Sequence, residues 1–161
     1  MRYTKLPSNF WNSKSGRAVR ACGAEALQVY LYLRSCEMGN YVGFFRLNTG
    51  YAAVDLGISE TTLMEYIAKF SKAGLMIYDS EAEVLWVIDQ AEVQVGELKA
   101  GDKQIIGINK NIAAIERSAL RDAFFNRYHK QLNLSSALAP LQPAGEKVQA
   151  SPDRNSAPRG I

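Results

Sequence analysis

Residues 47–88 constrain the chain more than any other stretch. Two helical patterns, 49–56 and 60–73, are separated by Gly57-Ile58-Ser59, and Gly74 closes the second. Two apolar runs follow, 75–78 and 84–88, divided by the polar segment Asp79-Ser80-Glu81-Ala82-Glu83. Gly57 suits the left-handed backbone of a tight helix exit, which a residue with a Cβ resists. Ser59 is a good N-cap because its hydroxyl can accept from the free amides of the next turn, a contribution of about 1 kcal/mol. The chain therefore reads as helix, turn, helix and hairpin.

Within 60–73, Leu63, Ile67 and Phe70 recur at helical spacing and form one apolar face. The other side carries Thr61, Thr62, Glu65, Ala68, Lys69 and Lys72. In a helix that enters a major groove these side chains reach the bases and phosphates; in any other helix they are a solvated face. The fold class expected is α+β: a winged helix-turn-helix domain with a small antiparallel sheet and a C-terminal helical extension. Double-stranded DNA is the first partner to test.

The flanks fill in this frame. Residues 23–38 form a helical pattern through Leu27, Tyr30, Leu31 and Arg34, widened by Leu33 and ended by Gly39-Asn40. Residues 43–47 read as a strand that can join the hairpin, with Arg46 at its end as a phosphate candidate. Upstream, Phe10 and Trp11 are expected to pack onto the domain and fix an N-terminal arm, on which Arg17 and Arg20 are further phosphate candidates. Tyr78 and Trp86 are expected to pack on the sheet. The expected division is a basic arm 1–22, the winged domain 23–92, a linker 93–108, a helical extension 109–134 and a disordered tail 135–161. In the extension, Ile112 and Ile115 mark a helix over 109–117. Ser118 caps a second helix over 119–131, with Leu120, Phe124 and Tyr128 on one face.

Charge qualifies the DNA reading. The net charge is +3. Residues 1–22 carry five basic side chains and no acid, whereas 23–98 carry four basic against eleven acidic ones. Residues 99–134 are basic again. Phosphate attraction is a summed field, so contacts must draw on the flanks. The acidic segment 79–83 would repel phosphates and is expected to face solvent or a protein.

Other chemistry has little support. Cys22 and Cys36 match no zinc or redox spacing and are expected to be reduced thiols. His129 is the single histidine, so no metal site is expected. No phosphate-binding loop or catalytic triad occurs, so neither an enzyme nor a cofactor is expected. No apolar run approaches the ~20 residues of a membrane span, and the first residues lead into no apolar signal region. A cytoplasmic protein is expected.

With these residues placed, the sequence resembles the winged-helix N-terminal domain of phage replisome organisers and related phage replication-initiation proteins. The resemblance begins at Phe10-Trp11 and continues through 26–33 (ALQVYLYL), 43–47 (GFFRL), 56–60 (LGISE), 73–79 (AGLMIYD) and 84–87 (VLWV). It extends more weakly over 107–110 and 124–134. The joint order of these segments is a stronger signal than any one of them. The resemblance implies origin binding on phage or prophage DNA inside a bacterial host, with recruitment of the replicative helicase or its loader. Two other readings share the fold: a replisome protein-interaction module working through its acidic wing, and a transcriptional regulator that forms a homo-oligomer on a palindromic operator.

Overall fold

The computed structural model describes residues 2–141. A three-stranded antiparallel sheet divides the molecule into two layers of helices. Its order is β1 (Phe44–Arg46), β3 (Val84–Val87), β2 (Met76–Asp79). Phe44 pairs with Trp86 and Phe45 with Leu85 on one side of β3, and Met76 pairs with Val87 on the other. Successive side chains point to opposite faces, so Phe45, Leu85, Val87 and Met76 enter one core while Phe44, Val84 and Trp86 enter a second. This explains why Val84-Leu85-Trp86-Val87 is apolar without alternation: both faces of the central strand are covered.

The first core is built by α1 (Lys14–Ala21), α2 (Ala24–Ser35), α3 (Thr49–Leu56) and α4 (Glu60–Lys72). It holds Val19, Val29, Leu33, Ala52, Leu56, Leu63, Ile67 and Phe70. The second core is supplied by α6 (Gln104–Ala113) and α7 (Ala119–Tyr128), with Ile108, Ile112, Phe124 and Tyr128 beneath the sheet. Trp86 meets Phe124 edge-on, their ring centroids 5.5 Å apart. The short α5 (Gln90–Gln94) joins the two layers. Among the described residues there are seven α-helices and these three strands.

The turn between α3 and α4 forms as its residues dictate. Gly57 is left-handed, with φ +68°. The Ser59 hydroxyl accepts from the Thr62 amide at 3.0 Å and starts α4. Asn48 caps α3 in the same way, accepting from the Tyr51 amide at 2.9 Å.

Several boundaries differ from the expectation. Within the basic arm the chain is helical, because Ser13 caps α1 by accepting from the Gly16 amide. Gly16 is required there, since a Cβ would stand 1.9 Å from the Phe10 carbonyl oxygen. Phe10 is buried, but Trp11 is 47% exposed and does not anchor the segment as expected. On α2 the buried stripe is Ala26, Val29, Tyr30, Leu33 and Arg34, with Leu27 and Leu31 only partly covered. The helix expected over 109–117 begins five residues earlier, at Gln104, whose amide is held by the Asp102 carboxylate at 2.9 Å, and it ends at Ala113. The segment expected as linker, 93–108, is helical at its two ends, where it overlaps α5 at 93–94 and α6 at 104–108. Of the tail expected to be disordered, Ser136–Leu138 forms a 3-10 turn with Leu138 buried; residues 142–161 lie outside the described residues.

Candidate nucleic-acid interface

Burial of Leu63, Ile67 and Phe70 fixes the rotation of α4. Thr61, Glu65, Ala68, Lys69 and Lys72 are consequently exposed on its outer side. Thr62 is different. It is partly buried, and its hydroxyl lies 2.8 Å from the Ser59 hydroxyl, so it completes the cap instead of pointing outward. The Lys69 ammonium sits 5.0 Å from the centre of the Tyr66 ring. Tyr66 in turn donates to Glu25 at 2.9 Å, and that bond raises the pKa of its hydroxyl. Glu60, at the start of α4, accepts from the Thr49 hydroxyl on α3. Tyr32 donates to Asp55 at 2.6 Å, which ties α2 to α3. The Thr49 hydroxyl thus braces α3 against α4, and the two tyrosine hydroxyls tie both helices to α2, behind an outward face bearing a hydroxyl, a carboxylate, a methyl and two ammonium groups.

None of the three arginines lies on α4 itself. Arg17 and Arg20 lie on α1, exposed, and Arg20 donates to the Trp11 carbonyl at 2.9 Å. Arg46 ends β1, the edge strand opposite β2, into which α4 leads. It pairs with Glu116 at 3.6 Å, and both side chains are largely in solvent. Such a pair contributes little to stability and leaves Arg46 free to exchange partners. The hairpin tip is acidic and self-satisfied: the Asp79 carboxylate accepts from the amides of Glu81 and Ala82, each at 3.0 Å. Glu81 and Glu83 remain exposed there.

Two polar clusters had no sequence signal. The buried Arg34 on α2 donates to Asp89 and to the Tyr30 hydroxyl at 3.0 Å, and it lies over the Tyr30 ring. Burial raises the Tyr30 pKa, with Arg34 working against it. Beneath the sheet, the Tyr128 hydroxyl lies 2.6 Å from both the Ile88 carbonyl oxygen and a Glu92 carboxylate oxygen, so its one proton has two competing acceptors, while Glu92 also receives Arg127 at 3.0 Å. Arg127 covers Trp86 and Tyr128. The basic and aromatic residues of α7 are therefore occupied in closing the second core, and the rings are not a stacking platform. Both clusters join residues far apart in the chain; the Arg34–Asp89 separation is 55 residues.

Among the described residues no group of three His, Cys, Asp or Glu is placed to hold a metal, and no helix is long and apolar enough to cross a membrane. No protein-family model matches the chain, and neither a curated protein nor a solved structure is significantly similar to it.

Proposed function

We propose that the chain is a DNA-binding protein of the winged-helix class. It acts without catalysis in phage or prophage replication initiation, binding origin DNA and helping to recruit the replicative helicase or its loader. The observation that carries the DNA reading is the state of α4: its apolar side is buried in the first core while Thr61, Glu65, Ala68, Lys69 and Lys72 stand outward. The element order supports it, since a helix, a strand, two helices about a Gly57 turn and a hairpin follow one another, with β1 pairing beside the hairpin. The assignment to replication rests on the sequence resemblance.

In this reading α4 lies in the major groove, Lys69 and Lys72 meet phosphates, and Arg17 and Arg20 reach the backbone beside it. Arg46 contacts DNA only by leaving Glu116. The acidic hairpin tip stays off the duplex. Binding to a mixed-sequence duplex tests the proposal. Affinity should fall steeply with salt, and Arg17→Ala should make the log–log slope shallower by about 0.9 if that side chain neutralises one phosphate. Failure to bind any duplex at low salt would reject it.

The fixed, acidic tip at Asp79, Glu81 and Glu83 favours a second reading, a replisome protein-interaction module with a basic partner. In that case duplex binding is absent, and Glu81→Lys abolishes capture of the partner.

A further inference from the structure

The outward stripe of α4 has an order that phosphate binding does not explain. Thr61, Glu65, Ala68 and Lys72 follow one another at intervals of four, three and four residues, the line opposite Leu63, Ile67 and Phe70. Glu65 and Ala68 occupy its middle. Glu65 is exposed, takes part in no ion pair among the described residues, and receives no hydrogen bond there. Its natural neutralising partner one turn on, Lys69, is turned over the Tyr66 ring instead. Tyr66 is itself held by Glu25.

A free carboxylate at the centre of a groove-facing helix is repelled by every phosphate. Within the major groove it has one kind of favourable contact, an amino donor on a base edge, and the geometry that suits an acidic side chain is the N4 group of cytosine. A neighbouring alanine methyl suits the C5-methyl of thymine. We propose that Glu65 is a specificity-determining residue: its carboxylate selects a cytosine in the recognised site and penalises every site that lacks one. The inference rests on the DNA reading above and adds to it the chemistry of the base. An acidic domain then gains a function for its charge. Non-specific affinity is held down, and a matched base is needed to offset the repulsion.

Selection from a random-sequence duplex pool, run in parallel on the wild type, Glu65→Ala and Glu65→Gln, tests this. The wild type should recover a motif with one invariant C·G pair, whose replacement weakens binding by about 5- to 150-fold. Glu65→Ala should lose that column and bind unmatched duplexes more tightly. Glu65→Gln should move the preference at the same position to adenine, which an amide recognises through N6 and N7. If Glu65→Ala keeps the wild-type motif and merely binds all duplexes more tightly, Glu65 is a repulsive bystander and the proposal is overturned while the DNA reading stands. If the wild type recovers no duplex at all, both fall.

Discussion

The Arg34 guanidinium donates to the Asp89 carboxylate at 2.6 Å and fastens α2 to the turn that leaves β3. Arg34 is 4% exposed and Asp89 is 48% exposed, so the pair is buried on one side only. Asp89→Ala would leave a buried cation with Tyr30 alone. Removing one partner of a fully buried pair costs about 3–5 kcal/mol; the exposure of Asp89 should bring this to about 2–3 kcal/mol. Urea unfolding checks it, and a loss below about 0.5 kcal/mol would place the pair among ordinary surface ion pairs.

The two cores should unfold together. Leu63 on α4 and Phe124 on α7 are both fully buried. Leu63→Ala should cost about 2–5 kcal/mol and Phe124→Ala about 3–5 kcal/mol, in one cooperative transition. A biphasic melt for Phe124→Ala would mean that the C-terminal helices unfold apart from the sheet they cover. Thr61→Ala, on the exposed side of α4, should change stability by less than about 0.5 kcal/mol.

The turn before α4 makes a local prediction. Ser59→Ala removes the cap bond to the Thr62 amide and should cost about 1 kcal/mol. Ser59→Gly, which keeps a tolerated cap backbone, should cost only a few tenths of a kcal/mol relative to serine. Thermal melts of the two variants separate the hydroxyl's contribution from the backbone's.

Alkaline pH should destabilise the fold. Burial is the first cause that raises the pKa of Tyr30, Tyr32, Tyr78 and Tyr128, and a carboxylate acceptor adds to it at Tyr32 and Tyr128. Above the ordinary tyrosine value of about 10 the unfolded chain releases these protons while the folded chain keeps them. The folded state then binds more protons, so stability falls as pH rises. The stabilisation is fully present below that value and is lost above it. Melting temperatures from about pH 8 to about pH 11 should decline most steeply at the upper end, and Tyr128→Phe should flatten part of that decline.

What is legible in the sequence depends on whether the relevant contacts are local. The spacing of Leu63, Ile67 and Phe70, the Gly57 turn, the Ser59 cap and the apolar hairpin all lie within one short stretch, and each appears in the structure. Helix α1 is hidden because Val19 is its one fully buried apolar side chain, which leaves no periodicity to read. The start of α6 is hidden because Gly96 and Gly101-Asp102 read as breakers, although Ile108 and Ile112 share a buried face. Arg34 falls at helical spacing with Tyr30 and Leu31, but its partner is seen only where the chain returns at Asp89. For the candidate interface, the outward set on α4 follows from the apolar spacing. The Thr62 hydroxyl beside Ser59 is a local contact three residues apart, whereas Arg46 beside Glu116 at the far sheet edge requires the tertiary fold.

The outer face of α4 is the centre of the functional account, and Lys69 and Lys72 are its cations. Binding of a labelled duplex, measured across a range of salt concentrations for the wild type and for the Lys69→Ala/Lys72→Ala double variant, tests it most directly. The account predicts weaker binding by the variant and a log–log salt slope shallower by about 0.9 for each phosphate that is no longer neutralised. A wild type that binds duplex DNA while the variant keeps the same affinity and the same slope would contradict it.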